Sequence, residues 1–169
     1  MNQLEFLEKV LPFKDKVYRL AKRLLVSSDE AKDATQELYF KLWKNKSKIK
    51  TYDNVEAYAM RMTKNYCLDQ LKSKRASNLT LIHSNYKDES NSLQNDIEYK
   101  DSASIIEKMM CDLPEKQRMI IQLRDIENYE YHEIGKILNM EPTAIRVALS
   151  RARKTLREKF IKRQNYGIS

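Results

Sequence analysis

Apolar residues recur every three or four positions along most of the chain, which is the period of an amphipathic α-helix. The first stripe, which shifts or breaks near Pro12, contains Leu4, Leu7, Leu11, Phe13, Val17, Leu20, Leu24 and Leu25. A second stripe follows an expected N-cap at Ser28 and contains Ala31, Ala34, Leu38 and Leu42. A third helix is expected over about 54–74, with Asp53 and Glu56 spaced like a capping box at its start. Only two glycines and three prolines interrupt the 169 residues, so the pattern predicts an all-α protein.

Helical spacing resumes near residue 102, after a polar stretch. We expect Ser102 to cap a helix whose inner face contains Ile105, Ile106, Met109 and Met110. Pro114 is expected to begin the next helix, whose core positions are Met119, Ile120, Ile121, Leu123 and Ile126. The C-terminal third therefore starts with two short helices.

The stretch 131–160 predicts a short helix, a tight turn and a long basic helix. The short helix, 131–138, carries Ile134, Ile137 and Leu138 on one face. Asn139 fits a left-handed C-terminal cap, and Pro142 fits the first position of the next helix. Gly135 lies inside the short helix, which indicates a close approach of another helix. This spacing is typical of a helix-turn-helix.

The long helix has a dry side and a basic side. The dry side contains Ile145, Leu149, Ala152, Leu156 and Phe160. Opposite it lie residues that would face a major groove, flanked by Arg146 and Arg151: Thr143, Val147, Ser150 and Lys154. From Arg146 onward, eight Lys and Arg residues stand against the single acid Glu158, which suits contact with phosphate. The alternative is a pair of amphipathic core helices with a solvated basic flank, but the agreement of cap, turn and basic face favours DNA binding.

Charge divides the chain into three blocks. Residues 1–75 carry 17 Lys/Arg and 10 Asp/Glu, a net +7; residues 76–103 carry 2 and 5, a net −3; residues 104–169 carry 13 and 9, a net +4. The middle block is rich in Asn and Ser and too polar to fold alone. We therefore expect two small helical domains, 1–75 and 104–163, joined by a flexible acidic linker, 76–103, and followed by a tail, 164–169.

Several classes of function are excluded by the sequence. No apolar run approaches the roughly 20 residues of a membrane-spanning helix, and the N-terminus lacks a secretory pattern, so we expect a cytoplasmic protein without membrane insertion. Cys67 and Cys111 are isolated and are expected to be small buried side chains without a disulfide. With two histidines they form no metal-ligand spacing, so neither a metal nor another cofactor is expected. The absence of a nucleophile–base set or phosphate loop argues against an enzyme.

Five short sequences carry a resemblance to a known family. Residues 31–43 read AKDATQELYFKLW, and residues 57–71 continue with Arg61 and Asn65. The C-terminal block contains LPEKQR at 113–118, YHEIG at 131–135 and SRAR at 150–153. In order and spacing these are similar to regions 2 and 4 of bacterial sigma-70 factors, in particular the extracytoplasmic-function (ECF) group.

The resemblance implies an alternative sigma factor that binds core RNA polymerase, directs it to promoter DNA and helps to open the duplex. It implies polymerase contacts from Asp33, Gln36, Glu37 and Trp43. It implies downstream-element contacts from Lys48, Lys50, Tyr52, Arg61, Lys64 and Asn65, where an aromatic ring can stack on an extruded base. Upstream-element contacts would come from Thr143, Arg146, Val147, Ser150, Arg151 and Lys154. Taken as residues alone, Trp43 fits a core position at least as well, and Tyr58 can pack inside.

The recognition helix departs from the family pattern over 144–148, where Ala-Ile-Arg-Val-Ala replaces Thr-Val-Lys-Ser-Arg. Val147 can instead contact a thymine methyl group, so the upstream element is expected to be unusual. The resemblance also implies control by an anti-sigma factor, which in many members of the family is linked to a membrane. The linker is either a passive tether or, as the resemblance implies, a segment that threads a polymerase channel. The alternative function is a stand-alone helix-turn-helix repressor or response-regulator output, which would not bind core polymerase.

Overall fold

The computed structural model describes residues 1–83 and 102–166, with the side chains of 79–83 and 102–104 left out. Within these ranges all regular structure is helical, which confirms the prediction of an all-α protein. The α-helices are α1 (Gln3–Val10), α2 (Lys14–Leu25), α3 (Ser28–Lys44), α4 (Lys46–Ile49), α5 (Val55–His83), α6 (Ser102–Cys111), α7 (Glu115–Ile121), α8 (Tyr131–Leu138) and α9 (Pro142–Tyr166). A 3₁₀ turn, Leu11–Phe13, joins α1 to α2, and a π-helical turn, Gln122–Ile126, follows α7.

In the N-terminal half, α2, α3 and α5 pack against one another, and α1 lies beside them. The predicted α3 stripe is buried throughout. The predicted α1 stripe is wrong, because Leu4 is 72% exposed and Leu11 is also exposed, whereas Phe6 and Val10 are buried. The reason is the 3₁₀ turn, which has about three residues per turn rather than 3.6 and therefore rotates the apolar face between α1 and α2.

Two predicted helix starts are displaced by one residue. The α3 cap is Ser27 rather than Ser28, since the Ser27 hydroxyl accepts a bond from the Glu30 amide. The α5 cap is Asn54, whose side-chain oxygen accepts a bond from the Ala57 amide at 2.8 Å. Glu56 is not part of a capping box, because its carboxylate bonds with side chains outside α5.

Helix α5 also runs further than predicted, to His83 rather than residue 74. Residues 76–83, which were assigned to the linker, therefore continue the helix. The rest of the predicted linker up to residue 101 lies outside the described residues, as does the end of the predicted tail.

The C-terminal half packs α6, α7 and α8 against α9. Most predicted core positions are buried, but Ile106 and Ile126 are exposed. For Ile126 the cause is the π turn, in which the Glu127 amide donates to the Gln122 carbonyl at 3.0 Å, five residues back. The extra residue rotates Ile126 out of the core. Among the α6 side chains that the structure describes, those of 105–111, Met109 and Met110 are the buried ones.

The helix-turn-helix is formed as predicted. Asn139 caps α8 in the left-handed conformation with φ 54° and ψ 53°, and Pro142 is the first residue of α9. The dry side of α9 is buried at Ile145, Leu149 and Ala152. Phe160 is exposed, because α9 continues beyond the part that packs against other helices.

The two halves also contact each other, through α2 with α7 and through α5 with α8. Buried apolar residues form one continuous cluster through both halves. Cys67 is buried and Cys111 only half-buried, so the expectation that both are buried is wrong for Cys111. No helix within residues 1–83 or 102–166 is both long and apolar enough to cross a membrane. Within the same ranges, no group of three or more His, Cys, Asp or Glu side chains could hold a metal ion.

Candidate nucleic-acid interfaces

The first candidate surface is the outer face of α9. Its side chains are exposed because Ile145, Leu149 and Ala152 hold the opposite face in the core. The structure brings together all six predicted upstream-element residues on this face: Thr143, Arg146, Val147, Ser150, Arg151 and Lys154. Val147 is an apolar side chain 46% exposed among cations, which suits contact with a base edge rather than phosphate.

Tyr131 and Arg124, which were not among the predicted DNA-binding residues, lie next to this surface. The Tyr131 ring lies 4.7 Å from the guanidinium carbon of Arg146 and 4.6 Å from that of Arg124. Such stacking holds a long side chain in one orientation before it meets DNA. The position of Tyr131 at the start of α8, the helix that precedes the recognition helix, was the available signal in the sequence.

Arg153 differs from the other cations of α9. Its guanidinium forms a two-pronged ion pair with Asp125, in which Nε lies 3.0 Å from Oδ2. The hydrogen bond to Asp125 raises the pKa of Arg153, against an opposing effect of burial. Arg153 therefore fixes α9 to the π turn, and the basic run of the sequence is not wholly available to phosphate.

Gly135 sets the angle between α8 and α9. A Cβ atom at this position would lie 2.7 Å from the carbonyl oxygen of Met140, which is backbone and cannot rotate away. The Met140 amide donates to the Gly135 carbonyl at 3.1 Å, which closes the turn. The predicted close approach is thus the turn itself, packed over the glycine.

The second candidate surface lies where α5 begins. The Tyr52 and Tyr58 ring centroids are 4.7 Å apart and the planes are inclined by 50°. A pocket of about 280 Å³ is lined by both tyrosines, Arg61 and neighbouring residues of the loop and α5, together with Lys136 from α8. Two aromatic rings and two cations around such a space suit an unpaired base and its phosphate. The sequence left open whether Tyr58 packs inside the protein. Its side chain is only partly buried and lines this pocket.

The other predicted downstream residues do not line the pocket. Lys48, Lys50 and Asn65 are exposed on α4, on the loop that follows it and on α5. Asn65 shares the α5 face of Tyr58 and Arg61 at helical spacing. Burial, and then the nearby Arg61 charge, lowers the pKa of Lys64. The structure therefore gives one aromatic pocket with basic side chains around it rather than a single cluster.

The third candidate surface, the exposed face of α3, contains residues that were predicted to contact a protein rather than DNA. Asp33 and Gln36 are exposed there, and the Glu37 carboxylate lies 3.5 Å from the Lys41 ammonium. Phe40 lies on the same face and is 61% exposed, although the sequence analysis did not select it. An apolar ring on an otherwise charged face was the signal that could have identified it.

Trp43 is half-buried, whereas Asp33, Gln36 and Phe40 of α3 are exposed. Its ring centroid is 5.1 Å from that of Phe6 in an edge-to-face contact, and the Lys46 ammonium lies 3.7 Å above it. The sequence left open whether Trp43 contacts polymerase or packs in the core. Its packing against Phe6 of α1 favours the core position.

Comparison with known proteins gives a consistent result for both halves. The family model described as Sigma-70 region 2 matches residues 10–77, and that described as Sigma-70, region 4 matches residues 103–156. The ECF RNA polymerase sigma factor SigW of Bacillus subtilis (strain 168) is 25% identical over 94% of this chain and 90% of its own length. The ECF RNA polymerase sigma factor SigE of Mycolicibacterium smegmatis is 28% identical over 92% of this chain. The match covers 61% of the length of SigE.

Two solved structures share the fold. The sigma factor RpoE of Bartonella quintana, solved with the anti-sigma factor NepR, has a TM-score of 0.73 and 21% identity, covering 91% of this chain and 95% of that one. CnrH, solved with the cytosolic domain of CnrY, has a TM-score of 0.68 and 18% identity, covering 95% of this chain and 90% of that one. At these identities the likeness concerns the helical architecture.

Proposed function

The chain belongs to the ECF group of the sigma-70 family and is an alternative sigma factor, and from this premise we propose how its residues act at a promoter. It binds core RNA polymerase, directs it to specific promoters and helps to open the DNA. The stand-alone repressor is not favoured, because it leaves the region 2 half of the chain unexplained.

One observation carries the proposal: the chain presents two surfaces of different chemistry, each suited to a different form of DNA. The outer face of α9 is basic and convex, which suits the major groove of a duplex. The pocket at Tyr52 and Tyr58 is aromatic and concave, which suits a base that has left the duplex. A protein that both locates a promoter and stabilises its melted form needs both surfaces.

In this proposal each surface has its own task. Residues 104–163 read the upstream element through Arg146, Val147, Arg151 and their neighbours on α9. Residues 1–75 hold the melted downstream element, with Tyr52 stacking on an unpaired base and Arg61 and Lys64 attracting the strand. Stacking contributes only after the base is extruded, so it favours the open complex over the duplex.

The exposed face of α3 is the proposed site for polymerase. Asp33, Gln36 and Glu37 supply polar contacts, and Phe40 supplies an apolar one within the same face. Trp43 acts indirectly by packing α3 against α1. The chemistry of RNA synthesis belongs to the polymerase, so no catalytic residue is proposed for this chain.

The proposal extends to location and control. A partner of core polymerase works in the cytoplasm, and we place the chain there. RpoE was solved in complex with the anti-sigma factor NepR, and CnrH in complex with the cytosolic domain of CnrY. We propose an inhibitor of the same kind for this chain, either free or anchored to a membrane.

The test is binding of the purified chain to core polymerase. The chain is expected to co-elute with core, and Glu37→Gln is expected to weaken binding by about tenfold, the effect of losing an interface residue that matters. Glu8→Gln, the same chemical change at an exposed position of α1, is the matched control and is expected to bind like wild type. Failure of the wild-type chain to associate with core would refute the proposed function.

A further inference from the structure

A cavity that the proposed function does not use lies between α2, α6 and the π turn. Its volume is about 410 Å³, which is within the range of small-molecule sites. Helix α2 supplies one wall, and α6 and the π turn supply the other. The described residues that line it are not among the predicted DNA or polymerase contacts. The cavity therefore has room for a small ligand apart from both.

Cations dominate the wall of the cavity. Arg19, Lys22 and Arg23 lie on α2 at spacings of three and four residues, and Lys108 joins them from α6. Glu107 is the acidic residue among the described lining residues. Its carboxylate lies 3.9 Å from the Lys22 ammonium, and both side chains are exposed, so solvent screens this ion pair. Four cations against one acid favour an anionic ligand.

Two of these cations are held in place by buried groups. The buried Glu127 carboxylate accepts from Arg19 Nε at 2.6 Å and from Arg19 Nη2 at 2.8 Å. Buried Gln122 accepts through Oε1 from Arg23 Nε at 3.0 Å and donates through Nε2 to Glu127 at 3.0 Å. With Glu127 counted among the described lining residues, a net charge of +2 remains. Guanidinium groups that are already oriented lose less freedom when they bind phosphate.

Exposed apolar side chains line the same cavity. Val26 is 51% exposed and Ile126 is 39% exposed, and both lie beside the partly buried Tyr18. Val26 also has a left-handed backbone, with φ 58° and ψ 21°. A β-branched residue is strained in this conformation, in which glycine or asparagine is usual. Both the strain and the exposure of Val26 are unfavourable for the fold, which points to a use of its side chain in binding.

Hydrogen-bonding groups complete the wall. The Ser28 hydroxyl and the Glu107 carboxylate belong to residues that line the cavity. A carboxylate beside bound phosphate commonly accepts hydrogen bonds from ribose hydroxyls. An anion with an apolar ring and a sugar therefore matches all three kinds of side chain, whereas a simple inorganic anion would use only the cations.

We propose that this cavity binds a nucleoside phosphate, with the phosphates on Lys22, Arg23 and Lys108 and the base against Val26 and Ile126. Two or more phosphates suit the net charge of the wall. The site is separate from both DNA surfaces and from the polymerase surface, so the inference does not depend on the proposed function.

The first test is isothermal titration calorimetry of the full chain with ADP, GDP, CDP, UDP and inorganic pyrophosphate. The buffer has one fixed salt concentration and no Mg²⁺, which would neutralise part of the phosphate charge. At least one nucleoside diphosphate is expected to bind about tenfold more tightly than pyrophosphate, because the base buries apolar surface. Absence of nucleotide binding, or equal affinity for pyrophosphate, would overturn the proposal.

Two variants test the residues that carry the proposal. Lys22→Gln is expected to weaken nucleotide binding by about tenfold through loss of a charged hydrogen bond. Lys14→Gln removes an exposed cation of the same helix outside the cavity and is the matched control. Val26→Gly is expected to weaken binding while the melting temperature holds or rises, because glycine relieves the left-handed strain. A purely structural role for Val26 would raise the melting temperature and leave the affinity unchanged, which would refute its contact with the base.

Cys111 reports where the nucleotide binds. It lines the cavity and is half-buried, whereas Cys67, the other cysteine of the chain, is buried. A nucleotide concentration that saturates the wild type is expected to slow alkylation of Cys111 by iodoacetamide in the wild type and Lys14→Gln, and much less in Lys22→Gln. Circular dichroism checks that each variant is folded.

Two results of the alkylation assay would contradict the proposal. Unchanged alkylation of Cys111 in spite of nucleotide binding would place the ligand elsewhere. Equal protection by duplex DNA would assign the cavity to DNA binding instead. Polymerase takes no part in these measurements, so their failure leaves co-elution with core unaffected.

Discussion

Replacing Gly135 by alanine separates two physical effects of opposite sign. In an ordinary helix interior this change stabilises the fold by about 1 kcal/mol, because glycine is a poor helix former. Here the added Cβ would lie 2.7 Å from the Met140 carbonyl oxygen, well inside van der Waals contact. That oxygen belongs to the turn backbone, so relief requires α8 and α9 to move apart.

The magnitude follows from the same contact. Overpacking in a well-packed site usually costs about 1 to 3 kcal/mol, and a weakened Met140-to-Gly135 hydrogen bond adds roughly 1 kcal/mol. After subtraction of the propensity gain, we expect Gly135→Ala to lower the free energy of unfolding by about 1 to 3 kcal/mol. Duplex affinity should fall as well, because the turn sets the direction of α9.

The assay is urea unfolding followed by circular dichroism, with duplex binding measured by anisotropy. His132→Ala, on the exposed side of the same helix, improves helix propensity without adding an atom near the turn and is expected to hold or raise stability. If Gly135→Ala stabilised the protein by about 1 kcal/mol, the crowding inferred at the turn would be wrong.

Three further predictions follow from the structure. Arg146→Ala and Arg151→Ala should each weaken binding to the upstream duplex by about 1 to 3 kcal/mol if the arginine contacts a base. If it contacts only phosphate, titration with duplex DNA at several salt concentrations should instead show similar weakening for every sequence and a flatter salt dependence. Leu149→Ala should lower the free energy of unfolding by about 3 to 5 kcal/mol, because the side chain is buried; a loss below 1 kcal/mol would contradict its core position. Burial raises the pKa of the Cys67 thiol to about 12, so Cys111 should react first with a thiol reagent at pH 8, and Cys67 only on unfolding. The folded state keeps that proton while the unfolded state releases it near pH 9, so stability should decline above pH 9.

The helix-turn-helix was predictable because its signals are local. Asn139 and Pro142 each constrain the backbone at their own position, and the dry stripe of α9 is repeated over several turns. The α3 stripe was predictable for the same reason. At the end of α9 the stripe continues to Phe160, which is exposed in the part of the chain that the structure describes.

The errors in the predicted core occur where the helical period changes. The 3₁₀ turn offsets the apolar face of α1 from that of α2, and the π turn after α7 changes the phase of the residues within it, so Leu4 and Ile126 are exposed although their spacing is regular. Such turns depend on packing between distant segments. A pattern read with a constant period of 3.6 residues does not detect them.

Among the candidate surfaces, the face of α9 followed from helical spacing alone. The pocket at Tyr52 required tertiary structure, because it joins a loop, α5 and Lys136 from the other half. The pairing of Arg19 with Glu127 spans more than a hundred residues and has no signal in either local sequence. Long-range polar pairs of this kind are seen only once the fold is known.

The central claim is that this chain gives core RNA polymerase a promoter specificity. The most direct measurement is transcription in vitro from fragmented genomic DNA of the host, with core polymerase in the presence and absence of the purified chain, followed by mapping of the RNA start sites. We predict a small set of new start sites that share an upstream element, which Arg146→Ala should weaken, and a downstream element. Start sites identical to those of core polymerase alone would contradict the assignment as a sigma factor.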